Sequence, residues 1–245
     1  MTTTFYAPPA CFHGNHVSLP PDEARHAVRV LRMREGDAMV VVDGVGGWHE
    51  VEVTQVGRDR AEGVVHATRR EVGEPSYDLT LGVALLKQAS RFEFILEKAV
   101  ELGACRIVPL ITHRTEKPRL KQQRAEHIVV AAMKQSGRTR LPVLDAPASL
   151  TDVLASSADG LRAICHEATD LAHQLAAQLE QEASRRATIL VGPEGGFTDE
   201  EIASAVRCGW RPAALGPRRL RAETAAVTAA AAVMLAWTRR ETPRV

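Results

Sequence analysis

The pattern of hydrophobic and polar positions changes near residue 75 of the chain. Before it, short β-rich runs alternate with glycine-containing turns, which is typical of a small β-barrel or meander. The predicted strands occupy residues 39–42, 51–54 and 63–66. One helix interrupts this region near Pro21, and its apolar face at helical spacing consists of Ala24, Ala27, Val28 and Leu31.

Strand and helix patterns alternate after a Gly- and Pro-containing linker at residues 71–76. Strands are predicted at residues 79–86, 106–110, 161–165 and 188–191, and helices at residues 90–102, 120–135, 170–185 and 223–238. This alternation favours a mostly parallel sheet with helices on both faces. We therefore predict an α/β protein with two domains, residues 1–72 and residues 73–245.

Two helix starts carry a capping-box pattern, in which a hydroxyl residue and a glutamate three positions later bind each other's backbone N–H. Ser90 and Glu93 match this pattern, and so do Thr198 and Glu201. The buried face of the helix after Ser90 is predicted to contain Phe92, Ile95, Leu96 and Ala99, before Gly103 ends the helix. The last helix is almost uniformly apolar, so we expect it to be buried with a partner subunit covering one side.

The 245-residue chain has an ordinary hydrophobic fraction of 45% and a net charge of only +1. Its four cysteines are far apart and form no C-x-x-C pair, so neither a zinc site nor a disulfide framework is expected. His13 and His16 lack a nearby third ligand, and we expect no metal. The absence of a signal-peptide pattern and of a long apolar stretch favours a cytoplasmic protein without membrane contact.

Basic residues are grouped in three places despite the low net charge. Arg25, Arg29 and Arg32 form one stripe beside the apolar face of the first helix. Arg114 and Lys117 belong to the second group, and the third consists of Lys134, Arg138 and Arg140. A basic run is often only a solvated surface. Three groups together favour a polyanionic partner that is held by local patches.

Two glycine-rich turns follow predicted strands near the C-terminus, Val-Gly-Pro-Glu-Gly-Gly-Phe at 191–197 and Leu-Gly-Pro-Arg-Arg-Leu at 215–220. Ligands of open α/β sheets bind at the carboxyl ends of strands, so these turns are predicted to share one crevice. Neither turn matches the dinucleotide fingerprint or the P-loop. Their glycines would let the main chain approach a flat ligand closely, and the alternative is a tight turn without a ligand.

Arg221 and Glu223 stand at the start of the otherwise apolar final helix, where buried charges need partners. One interpretation is a structural ion pair with N-terminal capping by Thr224 or Glu223. The other is that these residues bind a polar substrate at the mouth of the crevice.

The two turns, with the residues that follow as far as Ala225, resemble the cofactor-binding signature of the ribosomal RNA uridine N3-methyltransferases, in the SPOUT class of knotted methyltransferases. Matching segments also occur at residues 26–32, 93–103 and 135–138. The resemblance implies a PUA-like β-barrel, an α/β domain with a trefoil knot, a homodimer, and S-adenosylmethionine as cofactor. It also implies methylation of N3 of one uridine in small-subunit (16S) ribosomal RNA, as RNA or as the assembled subunit.

The resemblance assigns roles to individual positions of this sequence. The implied cofactor-binding residues are Leu190, Gly192, Pro193, Glu194, Gly195, Gly196, Leu215, Gly216, Leu220 and Thr224. The arginines and lysine of the first two basic groups, Arg25, Arg29, Arg32, Arg114 and Lys117, would bind RNA phosphates. Two positions depart from the family pattern, because Ala222 stands where threonine is usual and Lys134 where glutamate is common.

The implied reaction requires the uracil N3 to lose its proton. Arg138 or Arg221 would stabilise the resulting anion as preorganised cations, and Glu223 would accept the proton. One alternative is a SPOUT enzyme that acts on transfer RNA or on a ribose 2′-oxygen, because the signature indicates the donor better than the acceptor. A second is a noncatalytic RNA-binding or ribosome-assembly protein.

Overall fold

The computed structural model describes residues 3–116, 119–156 and 159–238. The chain divides into two compact units, residues 1–74 with 130–141 and residues 75–129 with 142–245. The domain bounds 1–72 and 73–245 stay a prediction. The first unit differs from the predicted first domain because it also includes residues 130–141.

The described part of the first unit contains one mixed sheet with strand order β1-β4-β5-β6-β3-β2. The strands are β1 (Thr4–Tyr6), β2 (Phe12–His13), β3 (His16–Ser18), β4 (Ala38–Val42), β5 (Gly47–Val56) and β6 (Ala61–Arg70). All neighbours are antiparallel except β1 and β4. The three predicted strands are confirmed as parts of β4, β5 and β6. Strands β1 to β3 were missed because two or three residues are too short to show an alternating pattern.

The helix predicted near Pro21 begins as α1 (Pro21–Arg25) and continues as a π-helical turn over His26–Val30. Leu31 N donates to His26 O at 3.1 Å, so this turn holds one residue more than an α-helical turn. Ala24 and Ala27 are buried as predicted. Leu31 is 40% exposed, which corrects its place on the apolar face, because the wider turn rotates it away from the sheet.

The boundary between the two units falls between Glu74 and Pro75, within the predicted linker at residues 71–76. Glu74 Oε1 accepts hydrogen bonds from the backbone N–H of Thr139 at 2.7 Å and of Arg140 at 2.8 Å. Its Oε2 accepts from Arg138 Nη2 at 2.8 Å, and both side chains of this ion pair are buried. These bonds explain why residues 130–141 belong to the first unit.

The described strands of the second unit form one parallel sheet with the order β10-β8-β7-β12-β11-β13, and β9 pairs with β8. The strands are β7 (Asp78–Ala84), β8 (Ala104–Ile111), β9 (Val143–Leu144), β10 (Ala148–Ser149), β11 (Leu161–Cys165), β12 (Arg186–Val191) and β13 (Arg211–Ala213). The parallel pairing confirms the prediction from alternating strands and helices. The carboxyl ends of β11, β12 and β13 therefore meet at one edge, where their loops come together. The predicted trefoil knot stays a prediction.

The remaining helices are α2 (Ala89–Glu101), α3 (Gln122–Gln135), α4 (Leu150–Ala155), α5 (Leu175–Gln181), α6 (Asp199–Arg207) and α7 (Ala222–Thr238). The predicted buried face of α2 is confirmed for all four residues, and Gly103 follows the helix with a φ of 84°. The helix predicted at 170–185 is shorter, because Gln174 has extended backbone between a 3₁₀ turn and α5. No described helix has the length and apolarity needed to span a bilayer.

The two predicted capping boxes have different outcomes. The Thr198 and Glu201 box is present at the start of α6, with reciprocal side-chain to backbone bonds of 3.2 and 2.8 Å. The Ser90 and Glu93 box is wrong, because α2 begins at Ala89 and places Ser90 inside the helix. Glu93 instead binds the guanidinium of Arg124, with Oε2 at 2.7 Å from Nη2.

Helix α7 is buried along one face only. Ala226, Ala229, Ala230, Val233 and Trp237 are fully buried. Trp237 Nε1 donates to Leu179 O at 3.2 Å, which satisfies the indole in the core. Leu235 on the opposite side is 50% exposed. The predicted burial is therefore confirmed for one face of α7.

Candidate cofactor cavity and active site

A cavity of about 610 Å³ lies at the carboxyl ends of β11, β12 and β13. Its walls come from three segments, the 165–171 loop, the 192–197 turn and the 215–220 turn, and Ala222 and Ala225 of α7 complete it. The prediction that the two glycine-rich turns share one crevice is confirmed. Parallel strands produce this arrangement because their carboxyl ends lie on the same edge of the sheet.

The 192–197 turn is closely packed against itself. A Cβ added at Gly192 would lie 3.1 Å from both Gly196 C and Phe197 N, so a side chain would push the turn open. Gly196 has a φ of 70°, and its N–H donates to Pro193 O at 2.8 Å. Phe197 is 2% exposed and anchors the turn in the hydrophobic core. The capping box of α6 then ends the turn at Thr198.

Arg114 also belongs to the wall of this cavity. Its Nη1 donates hydrogen bonds to the carbonyl oxygens of Gly195 and, at 3.3 Å, of Phe197. Its side-chain stem covers Gly195, where a Cβ would meet Arg114 Cδ at 3.1 Å. Arg114 therefore contacts the main chain of the turn rather than standing free on the surface.

The 215–220 turn is more exposed than the 192–197 turn. Gly216 has a φ of 115°, a conformation that favours glycine, and Pro217, Arg218 and Arg219 are exposed. Arg219 Nε lies 3.2 Å from Glu167 Oε2, and this ion pair joins the turn to the 165–171 loop. Both of its side chains are more than half exposed, so it contributes little stability.

The 165–171 loop is the wall that the sequence analysis missed. Cys165, His166, Glu167, Ala168, Thr169 and Leu171 line the cavity. Thr169 Oγ1 is buried and has no hydrogen-bond partner among the residues that the structure describes. Burial raises the pKa of Cys165 to about 12, which disfavours the thiolate form. The loop contains no glycine, so its composition did not indicate a ligand site. Its position after the predicted strand 161–165 was the one feature of the sequence that could have indicated it.

The family is decided by matches across both units. The model of an RNA methyltransferase domain matches residues 73–234, and an RNA methyltransferase PUA domain matches residues 19–65. The chain belongs to the RNA methyltransferase family. The resemblance, the enzyme class and the predicted combination of a PUA domain with an α/β domain are confirmed.

Named relatives agree with this family. The chain is 35% identical over 222 residues to ribosomal RNA small subunit methyltransferase E of Synechocystis, covering 89% of this chain and 72% of the relative. The structure of the methyltransferase E of Neisseria gonorrhoeae with S-adenosylmethionine aligns with a TM-score of 0.83 at 30% identity, covering 97% and 98% of the two chains. A Legionella pneumophila methyltransferase with the same bound cofactor aligns with a TM-score of 0.85 at 28% identity, covering 96% and 98%.

Most of the predicted cofactor-binding residues line the cavity. They are Gly192, Pro193, Glu194, Gly195, Gly196, Leu215, Gly216 and Leu220. Leu190 is not among them, because it is fully buried in the sheet and its Cδ2 fills the space above Gly82. Thr224 is also not a lining residue, since it lies on the exposed side of α7.

The three predicted catalytic residues have different surroundings. Arg221 is exposed at the residue before α7. Glu223 is in the first turn of α7, and its Oε1 lies 3.8 Å from Arg91 Nε, whereas its Oε2 is buried without a hydrogen-bond partner in the described structure. Arg138 is 3% exposed and belongs to the first unit, where Glu74 neutralises its charge. This geometry favours a structural role for Arg138.

The predicted RNA-binding arginines of the first unit are exposed, and two of them are ion-paired. Arg25 pairs with Asp22, and Arg29 Nη2 lies 2.5 Å from Asp59 Oδ1. Arg32 adopts a left-handed backbone with a φ of 55°. Lys117 lies outside the described residues. No group of three potential metal ligands is found within the described ranges.

The two departures from the family pattern are accommodated differently. Ala222 is a small, buried residue of the cavity wall and supplies no hydroxyl there. Lys134 lies in the first unit, where its Nζ is 2.5 Å from Glu23 Oε1, and both side chains are mostly buried. The lysine is therefore neutralised by a carboxylate of α1.

Proposed function

We propose that this protein methylates N3 of one uridine in small-subunit (16S) ribosomal RNA, with S-adenosylmethionine as the methyl donor. The observation that supports it most is the cavity of about 610 Å³ walled by two glycine-rich turns in a member of the RNA methyltransferase family. Relatives named ribosomal RNA small subunit methyltransferase E support the substrate. A ribosomal RNA substrate agrees with the cytoplasmic location expected from the sequence.

The residues of the cavity fit S-adenosylmethionine. The glycines of the 192–197 turn have no side chain, so a flat adenosine can approach the main chain of the turn closely. The buried, unpartnered Thr169 Oγ1 offers a hydrogen bond that the protein itself does not use. The lining carries charges of both signs, from carboxylates that include Glu167 and Glu194 and from Arg114, Arg218 and Arg219. When bound, this cofactor supplies an activated methyl group.

The reaction then requires positioning and removal of one proton, and we assign these tasks to the start of α7. Glu223 Oε2 is buried and has no hydrogen-bond partner among the described residues, and we assign to this carboxylate the acceptance of the N3 proton. Arg221 is exposed beside it and would stabilise the negative charge on the uracil oxygens. Ala222, which separates the two in sequence, lines the cavity.

The partners in this proposal are RNA and a second copy of the chain. Arg25, Arg29, Arg32 and Lys117 are proposed to contact phosphates, so RNA affinity should fall steeply with salt. We also propose a homodimer, because the uncovered side of α7 presents Leu235 to solvent next to the half-buried Met234. Analytical ultracentrifugation of the full chain measures the oligomeric state.

The decisive experiment is deletion of the gene followed by mass spectrometry of nucleosides from the small-subunit RNA. We expect 3-methyluridine to disappear and to return when the gene is restored. Persistence of this nucleoside would refute the proposed substrate. A parallel analysis of transfer RNA and of ribose 2′-methylation tests an enzyme with another acceptor. Titration calorimetry with S-adenosylmethionine tests a noncatalytic protein, which would not bind it.

A further inference from the structure

We propose that Arg114 is a positioning residue that locks the 192–197 turn in its ligand-binding shape, and not an RNA contact. The proposal rests on the proposed function only in taking S-adenosylmethionine as the ligand of the turn. Two hydrogen bonds from one guanidinium nitrogen to the carbonyls of Gly195 and Phe197 carry it.

The two carbonyls are two residues apart, at Gly195 and Phe197. Gly195 and Gly196 are adjacent, and glycine has more conformational freedom to lose than any other residue. A cationic donor to a carbonyl forms a charge-assisted hydrogen bond, which is stronger than a neutral one. By holding the peptide group before Gly196 and the one after Phe197, Arg114 restricts this freedom before any ligand binds.

The segment that carries Arg114 is itself fixed at several points. Thr112 N donates to Thr115 Oγ1 at 2.9 Å, which closes a tight loop after β8. His113 N donates to Glu201 Oε1 at 2.8 Å, and Glu201 is the capping-box residue of α6. The helix that follows the turn and the loop that carries Arg114 are therefore joined by one carboxylate.

A third connection runs through Lys87, which follows β7. Its backbone N–H donates to Glu194 Oε1 at 3.2 Å, and its Nζ lies 3.0 Å from Glu116 Oε2. The Lys87 to Glu116 ion pair is exposed and contributes little energy by itself. Lys87 therefore connects the turn, through Glu194, with the 112–116 segment that carries Arg114, through Glu116.

A preformed turn binds its ligand more tightly because the ordering cost is met during folding. The expected consequence is that loss of Arg114 weakens cofactor binding and loosens the turn in the cofactor-free protein. An RNA contact predicts neither effect. It predicts weaker RNA binding with a smaller salt dependence.

The experiment compares Arg114→Ala, Arg114→Lys and the matched control Arg119→Ala in the full chain. Arg119 is exposed, lies in the same stretch of the sequence, and makes no described hydrogen bond to the turn. In Arg114→Ala we expect S-adenosylmethionine affinity by calorimetry to fall roughly tenfold. We also expect faster amide hydrogen exchange at residues 192–197 without cofactor. Arg119→Ala should leave both measurements unchanged.

Steady-state kinetics and the lysine variant separate positioning from general structural damage. In Arg114→Ala, KM for S-adenosylmethionine should rise with little change in kcat, and KM for RNA should match that of Arg119→Ala. Arg114→Lys should recover part of the affinity, because an ammonium can reach one carbonyl. If Arg114→Ala lowers the melting temperature, the test uses Arg114→Lys, provided that its melting temperature equals that of the wild type. Wild-type cofactor affinity and wild-type amide exchange in Arg114→Lys would then overturn the proposal.

Two further results have clear meanings. Wild-type cofactor affinity and exchange in Arg114→Ala, with a larger loss of RNA affinity than in Arg119→Ala, would show that Arg114 is a phosphate contact and overturn the proposal. If the unaltered protein does not bind S-adenosylmethionine, the proposed function fails. In that case hydrogen exchange at 192–197 still tests the lock, and faster exchange in Arg114→Ala alone supports it.

Discussion

The two glycine-rich turns of the cavity share a Gly-Pro pair but differ in structure. The 192–197 turn is packed on itself, has Phe197 in the core, and is held by Arg114 and by the capping box of α6. The 215–220 turn is held mainly by an exposed ion pair and leads into α7, where Arg221 and Glu223 lie. The difference suggests a division of work, in which the first turn is a rigid wall for the cofactor and the second positions the chemistry.

The largest expected effect concerns the chemistry beside the 215–220 turn. We expect Glu223→Gln to lower the methylation rate by about a hundredfold or more, because the amide cannot accept the N3 proton. Cofactor affinity should stay within about twofold, since general-base catalysis acts on the reaction step rather than on binding. Single-turnover kinetics and calorimetry measure the two effects. The control is Glu97→Gln, the same substitution on the exposed side of α2. An equal loss of cofactor affinity and methylation rate in Glu223→Gln would contradict the proposed division of work between the two turns.

A second test concerns the rigidity of the 192–197 turn. Gly192→Val would place a branched side chain where even a Cβ lies 3.1 Å from main-chain atoms of Gly196 and Phe197. We expect cofactor affinity to fall by about tenfold to a hundredfold, because this overpacking opens the turn. Calorimetry measures the loss. Gly57→Val in the first unit is the control and should bind S-adenosylmethionine normally.

A third test removes the cap that ends the same turn. Thr198→Ala should lower the melting temperature by about 2–4 °C, because it breaks the capping box at the start of α6. Ser90→Ala should cause no measurable change, since Ser90 is inside α2 and does not cap it. Thermal unfolding followed by circular dichroism distinguishes the two variants. Equal shifts in both would argue against the cap as the cause.

The smallest effect is expected at the exposed turn. Arg219→Ala removes the ion pair with Glu167, whose side chains are 75% and 62% exposed. We expect cofactor affinity to change by less than about fivefold, because exposed pairs are weak and screened by salt. Calorimetry at low and high salt measures it. A loss as large as that in Gly192→Val would show that the 215–220 turn is also a rigid part of the site.

The sequence alone predicted the parts of the fold that depend on local pattern. The buried face of α2, strand 161–165 and the box at Thr198 are present because each follows from periodicity or from hydrogen bonds between near neighbours. Two predictions from local pattern were wrong because the backbone at those residues has a different geometry from the one that the pattern usually indicates. Ser90 and Glu93 have the correct spacing, but the helix begins one residue earlier, and a π-helical turn moves Leu31 to the surface.

The candidate site was predictable only in part. Glycines between a strand and a helix indicated the 192–197 and 215–220 turns, because glycine lets the main chain approach a ligand at the carboxyl end of a strand. The 165–171 loop has no such composition, and it lines the cavity only because β11 pairs between β12 and β13. Arg114 was predicted in a basic group for RNA, since its distance of about eighty residues along the chain from Gly195 hides their contact.

The amino-acid sequence therefore determined the elements, the parallel sheet and the two glycine-rich walls, since these depend on side-chain period and on backbone freedom. Only the tertiary structure decided which loops surround the cavity and which charges have partners inside the protein. Arg138 is bound by Glu74 and Arg114 by the carbonyls of a distant turn, whereas Glu223 keeps a carboxylate oxygen without a described partner. The physical reason is that the partner of a charge depends on distances in space. The order of the strands in the parallel sheet sets these distances, and the order of residues along the chain does not reveal them.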